Sequence, residues 1–209
     1  MRTSYRINNI FYSLQGEGYN TGRAAVFVRF AGCNLRCSFC DTEFDSYREM
    51  SAEEILSKIS SLHHPHSSIH PLIVLTGGEP TLQVDEAFVD LLHQNGYEVA
   101  MESNGTRPAP KNLDWLTISP KDWWMENCGW WMENGSHANE IKIVFDEDTP
   151  ARLSSFHYPQ STIHHLYLQP CDTGDPARNA FILQQCINYI KEHPQWRLSL
   201  QTHKLIGIE

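Results

Sequence analysis

Short apolar runs alternate with amphipathic stretches along most of the chain. Residues 24–30 (AAVFVRF) and 72–76 (LIVLT) are almost continuously apolar, the pattern of strands buried on both faces. Further strands are expected at 97–102, 116–119, 140–145, 165–169 and 197–201. Between them lie helical patterns. One opens at Ser51 and runs to about Leu62, with Ser51 and Glu54 spaced as a capping box and Ile55, Ile59 and Leu62 on one face. A second covers 84–95 and is closed by Gly96. A long amphipathic helix fits 177–192.

Strands that alternate with helices predict an α/β fold with a mostly parallel sheet. Six or seven strands are too few for a closed eight-stranded barrel, so an open or partial barrel is expected. Its 209 residues fit a single domain over 1–209. Parallel sheets of this kind bind ligands at the carboxyl ends of their strands. The loop after Phe30, the Gly77-Gly78-Glu79 turn, Ser119-Pro120-Lys121 and Gln169-Pro170 all fall at that edge.

Charge narrows the partners. With a net charge of −9, the chain is a poor candidate for an extended phosphate-binding surface, and no nucleic-acid partner is expected. No apolar run approaches the ~20 residues of a membrane span, and residues 1–9 lack the apolar segment of a signal peptide. A cytoplasmic, membrane-free protein is the expectation. In a reducing compartment, six cysteines argue for metal binding or catalysis rather than disulfides.

Cys33, Cys37 and Cys40 are spaced Cys-x3-Cys-x2-Cys in the loop that leaves the first apolar strand. Three thiolates are one short of a saturated structural zinc site. They suit an iron–sulfur cubane with one iron left open for a ligand. A zinc site and a purely structural thiol cluster are the competing readings. Cys128, Cys171 and Cys186 are scattered; Cys186 has the setting of an apolar filler in a helix, and Cys171 lies at a strand end where it can face the site.

The run Cys33-Asn34-Leu35-Arg36-Cys37-Ser38-Phe39-Cys40, with Gly77-Gly78-Glu79 at a later strand end, resembles the radical S-adenosylmethionine (SAM) superfamily. The resemblance implies a partial (β/α)6 barrel, one [4Fe-4S] cluster on Cys33, Cys37 and Cys40, and SAM as cofactor. Phe39, Cys40 and Asp41 would lie against the adenosyl part. Gly78 would present bare backbone to the methionine end, where only glycine permits such an approach.

Blocks outside the cluster loop resemble the 7-carboxy-7-deazaguanine synthase family: 10–18 (IFYSLQGEG), Arg29, Cys40-Asp41-Thr42, 76–80 (TGGEP), Ser119-Pro120-Lys121, Gln169-Pro170-Cys171-Asp172 and 198–208 (LSLQTHKLIGI). That resemblance implies a carbon–nitrogen lyase that turns 6-carboxy-5,6,7,8-tetrahydropterin into 7-carboxy-7-deazaguanine on the way to queuosine, with loss of ammonia and with Mg²⁺ as a further cofactor. It implies substrate contacts at Leu14, Gln15, Gly16, Glu17, Arg29, Thr76 and His203. Ser119, Pro120, Lys121, Gln169 and Asp172 would contact SAM, and Thr42 would bind Mg²⁺. An electron donor such as a flavodoxin and a homodimer are also implied.

The residue types suit such a substrate. Gln15 and Glu17 offer a donor and acceptors for a pterin's amide–guanidine edge, and Arg29 can take a carboxylate in a bidentate grip. A hydroxyl such as that of Thr42 suits a hard cation, and His203 could contact substrate or move a proton. Glu102-Ser103-Asn104-Gly105 reads either as a ribose contact or as a turn.

Some features stand outside the resemblance. Trp-Trp-Met-Glu-Asn occurs at 123–127 and again at 130–134, either an aromatic loop on the barrel's side or a contact surface. The histidine-rich stretch 63–70 reads as a solvated linker. The acidic side chain of Glu209 would alter local charge if it neared a substrate. Two other activities remain open at this point: an activase that makes a glycyl radical on a partner protein, and a zinc-binding interaction module.

Overall fold

The computed structural model describes residues 2–40, 42–63, 69–121, 138–154 and 163–209. Among these, the strands are β1 (Tyr5–Leu14), β2 (Ala24–Phe30), β3 (Arg48–Met50), β4 (Leu72–Gly77), β5 (Val99–Ser103), β6 (Trp115–Ile118), β7 (Glu140–Phe145), β8 (His165–Pro170) and β9 (Arg197–Leu198). The helices are α1 (Ala52–Leu62), α2 (Glu86–Gln94), α3 (Thr149–Leu153), α4 (Pro176–Glu192) and α5 (Thr202–Ile206), with a 3₁₀ turn at Pro80–Leu82. None of these helices is long and apolar enough to cross a membrane.

All nine strands form one sheet in the order β3-β1-β2-β4-β5-β6-β7-β8-β9. From β2 to β9 every neighbouring pair is parallel, and β1 and β3 are antiparallel additions at one edge. The expected open α/β barrel with a mostly parallel sheet is what forms. Two-sided burial explains the apolar runs. Val26, Val28, Phe30, Ile73, Leu75, Val99, Met101, Ile141, Ile143 and Phe145 pack outward with the helical residues Ile55, Ile59, Phe88, Leu92, Ile182 and Cys186. Ala25, Leu72, Val74 and Ala100 form a smaller apolar layer with Phe27 and Trp115. Cys186 is a filler of the larger cluster, and burial pushes its thiol up to about 12.

Local signals place the helix starts. Ser51 and Glu54 exchange both capping-box hydrogen bonds at the head of α1, as their spacing predicts. Asp85 caps α2 by accepting from the Phe88 amide, which puts the start after Val84. Gly96 follows α2 with φ +81, the left-handed conformation expected of a closing glycine.

The sequence pattern predicts no strand before residue 24, yet β1 forms over Tyr5–Leu14. Its register shifts between Ile7 and Asn9, so the buried set steps from Tyr5 and Ile7 to Ile10 and breaks the two-residue period that identifies a strand. The expected strand over 197–201 is only Arg197–Leu198, because the chain turns into α5. The repeated Trp-Trp-Met-Glu-Asn segments, Asp41, Cys128 and residues 64–68 lie outside the described residues.

Candidate functional site

Strand ends and the loops after them surround one cavity of about 430 Å³. Its lining includes Leu14, Gln15, Gly16, Glu17, Arg29, Cys33, Cys37, Phe39, Cys40, Thr42, Thr76, Gly78, Ser119, Lys121, Gln169, Asp172 and His203. Segments far apart in sequence therefore meet at the carboxyl edge, where a parallel sheet leaves its crevice. Pro120 is buried and does not line the cavity. Cys171 is buried and does line it.

The cysteine loop is fastened to the Gly-Gly-Glu turn by backbone. Gly78 donates its amide to the Phe30 carbonyl (2.9 Å), and the Glu79 amide donates to the Gly32 carbonyl (2.9 Å). A β-carbon on Gly77, whose φ is +123, would stand 2.2 Å from the Phe30 oxygen. The pair of glycines is thus demanded by the close passage of two chains. Glu79, fully buried, carries the link to β5: its carboxylate accepts from Ser103 Oγ at 2.9 Å and from the Asn104 amide at 2.7 Å. Asn104 Nδ2 then reaches Asn34 Oδ1 (3.0 Å) and the Cys33 sulfur (3.9 Å). Ser103 and Asn104 are therefore supports of the cysteine loop.

These thiols suit an iron–sulfur cubane. All three face the one cavity. The Leu35 amide and Asn104 Nδ2 point at Cys33 sulfur (3.4 and 3.9 Å), the kind of donor that tunes a cluster's potential. Among the described residues no three His, Cys, Asp or Glu side chains converge as a single metal ion would need. A cubane spreads its thiolates over different irons and does not ask for that convergence. Beside the loop, Lys121 places its ammonium 5.9 Å from the centre of the Phe39 ring and donates to Ser119 Oγ at 2.8 Å. Burial, reinforced by Lys142, lowers the Lys121 pKa.

At the other side of the cavity stands a group that the sequence reading missed. Lys142 on β7, 3% exposed, donates to Glu17 and, at 2.8 Å, to Glu102. Gln15 Nε2 donates to Glu102 (2.9 Å), and Gln201 Nε2 donates to Glu17 (3.1 Å). Burial opposes the Lys142 charge, but Glu102 and Glu17 outweigh it and raise the pKa. Burial likewise opposes ionisation of Glu17, and the ammonium beside it wins, holding that carboxyl below its usual range. The signal for Lys142 was in the strand itself: in Glu140-Ile-Lys-Ile-Val-Phe145 the charged residues recur with period two on a strand whose other face is wholly apolar.

Arg29 of β2 lies opposite Thr76 of β4, so both reach the cavity from adjacent strands. The guanidinium carbon of Arg29 is 5.5 Å from the Phe11 ring centre, and its Nε is buried with no hydrogen-bond partner among the described residues. A buried donor left open beside a cavity marks a place for an acceptor on a ligand. The C-terminal segment closes the wall. Thr202 donates backbone amide and hydroxyl to the Gly16 carbonyl (3.0 and 2.8 Å), and a β-carbon on Gly16 would collide with His203 Nδ1. Asp172 is held by Lys204 (2.8 Å), Asn179 and the Gly174 amide, which keep its carboxyl down to about 2. Asn9 and Ser13 of β1 bond Glu209 (2.8 and 2.5 Å).

Residues 27–125 match the family model described as the radical SAM superfamily. The 7-carboxy-7-deazaguanine synthase of Bacteroides thetaiotaomicron is 42% identical, with 97% of this chain and 98% of the relative aligned. That of Bordetella pertussis is 40% identical over 98% and 99%. Among solved structures, the crystal structure of QueE from Escherichia coli superposes with a TM-score of 0.72 at 29% identity, covering 94% of this chain and 93% of that one.

Proposed function

This chain belongs to the 7-carboxy-7-deazaguanine synthase family of radical SAM enzymes, and we propose that its cavity seats 6-carboxy-5,6,7,8-tetrahydropterin between Arg29 and the Glu17–Lys142–Glu102 group. Family membership implies a [4Fe-4S] cluster and SAM, and it removes the zinc-module and glycyl-radical-activase alternatives. The observation that carries the substrate reading is the pairing of opposite demands in one cavity. Arg29 has an unanswered buried donor on one side; two carboxylates share a single ammonium on the other.

In this reading Arg29 grips the substrate carboxylate and Gln15, Glu17 and Glu102 accept from the donor-rich pyrimidine edge. Lys142 holds the Glu17 carboxyl below its usual range against the opposing effect of burial, and it donates to Glu102 as well. Leu14, Gly16 and Thr76 shape the walls, and His203, against Gly16, can hold or move a proton as ammonia leaves. Cys33, Cys37 and Cys40 hold the cluster, with Phe39, Asp41, Gly78, Ser119, Pro120, Lys121, Gln169 and Asp172 around SAM. When bound, the cluster and SAM would supply the radical chemistry that removes the hydrogen from C6. Thr42, on the same cavity as Arg29, offers a hard oxygen ligand for Mg²⁺. A cytoplasmic setting, a homodimer and a flavodoxin-type reductant complete the proposal.

The test is anaerobic reconstitution with dithionite, SAM, Mg²⁺ and the pterin, followed by mass spectrometry. Many equivalents of 7-carboxy-7-deazaguanine per SAM consumed are expected. SAM cleavage to 5′-deoxyadenosine without that product would overturn the substrate assignment.

A further inference from the structure

We infer that Glu140 is a positioning residue for the reaction: it holds the Gly18–Tyr19 turn from beneath the cavity and so fixes the Glu17 carboxylate against Lys142. The inference rests on the cavity being the pterin site.

Glu140 is 2% exposed, sits on β7 two residues before Lys142, and does not line the cavity. One of its oxygens accepts from the Tyr19 amide at 2.9 Å. The other is pressed against Gly18: a β-carbon there would stand 2.1 Å from it. Gly18 also has φ +66, so the turn needs glycine for conformation and for space. The rest of the turn is held in the same place. The Gly18 amide donates to Ser199 Oγ (3.0 Å), which donates to Gln169 Oε1 (3.0 Å). The Tyr19 ring stacks on Trp115 at 4.7 Å and leans on His165 at 4.5 Å.

A buried carboxylate is a costly way to hold two residues of a loop. Its neighbourhood gives the reason. Glu17 directly precedes the turn, and its contact with Lys142 is the reach of one side chain from a backbone that Gly18 cannot anchor with a side chain of its own. Groups that bind a reacting molecule have to be held to within about half an ångström. The charged groups facing Glu140 are Lys142 from its own strand, Glu17 from the turn and Glu102 from β5. Burial pushes the Glu140 carboxyl up to about 7, and Lys142 only partly opposes this. The protonated and ionised forms can both accept from the Tyr19 amide.

Glu140→Ala, Glu140→Gln and Gly18→Ala in the reconstituted enzyme test this, with KM for the pterin, kcat, SAM affinity and amide exchange at Tyr19 as readouts. Glu140→Ala is expected to raise KM about tenfold with kcat and SAM affinity near wild type, and to expose the Tyr19 amide. Glu140→Gln keeps an acceptor and should restore both. Gly18→Ala disturbs the contact from the other side and should reproduce the rise in KM even if the alanine at 140 unfolds the chain. A wild-type KM with a protected Tyr19 amide in Glu140→Ala would overturn the inference, as would equal losses of SAM and pterin binding. If wild-type enzyme cleaves SAM but leaves the pterin untouched, the substrate reading fails; Tyr19 exchange in the alanine and glutamine variants still decides the anchoring.

Discussion

Gly78 passes Gly32 so closely that a β-carbon on Gly78 would stand 2.0 Å from the Gly32 carbonyl oxygen and 3.0 Å from the Cys33 amide nitrogen. Both obstacles are backbone, so no side chain can swing away. Gly78→Ala must therefore push the turn off the cysteine loop. Displacements near 1 Å can cost about 10²-fold in rate, and SAM cleavage should fall by that order. Uncoupled 5′-deoxyadenosine formation and iron per chain measure it; wild-type values for both would contradict the contact.

Lys142 bonds two half-buried carboxylates directly, and removing it leaves them only the longer-range field of Lys121. Lys142→Met is expected to destabilise the cluster-free chain by about 3–5 kcal/mol in urea unfolding. Adding Glu17→Gln and Glu102→Gln should return most of that stability while product formation stays absent.

Arg29 lines the cavity with its buried Nε unpartnered among the described residues. Lysine would keep the charge and lose the planar, bidentate geometry. Arg29→Lys should raise KM for the pterin by about 10- to 100-fold with a smaller change in SAM cleavage. A pterin analogue lacking the carboxylate should show no such difference between the two proteins.

Glu140 sets a pH dependence whose sign is fixed by its raised pKa. An acid with a folded pKa of about 7 against an ordinary 4.5 contributes stability below about pH 4.5 and loses it as pH rises through 7. Over that window, wild type should lose on the order of 3 kcal/mol relative to Glu140→Gln, which cannot ionise there. Glu17, held below its usual range, acts in the opposite sense and loses stability as pH falls. It is common to both proteins and drops out of the difference. Parallel unfolding curves at pH 5 and pH 8 would refute the assignment.

The capping box of α1 offers a control remote from the chemistry. Ser51→Ala removes the acceptor for the Glu54 amide and should cost about 1 kcal/mol, read as a lower urea midpoint. Turnover at a temperature where both proteins are folded should be unchanged.

Much of the architecture was legible because a parallel strand buried on both faces leaves an unbroken apolar run, as at β2 and β4, and because Ser51 and Gly96 mark helix ends by local chemistry. Strand β1 was not, since its register shift near Asn8 hides the alternation. The cysteines and the two glycines stood out as a pattern of short spacing. Lys142 did not, because its meaning depends on Glu17 and Glu102, which are distant in sequence and meet it only after the sheet has formed. Glu79 had a similar fate: it reads as part of a turn, and its role in tying Ser103 and Asn104 to the cysteine loop exists only in three dimensions.

The wall formed by β1 and the C-terminal segment has a consequence for the order of folding. Its bonds from Ser13 and Asn9 to Glu209 span 196 and 200 residues, whereas the Phe30–Gly78 and Gly32–Glu79 stitches close loops of under fifty. Closure entropy grows with loop length, so local pairings are rewarded first. The half of the cavity that carries the cysteines can thus organise while the half proposed for the pterin is still open, which leaves a route for iron and sulfide to enter. Pulsed hydrogen exchange during refolding should show the Gly78 and Glu79 amides protected before that of Thr202.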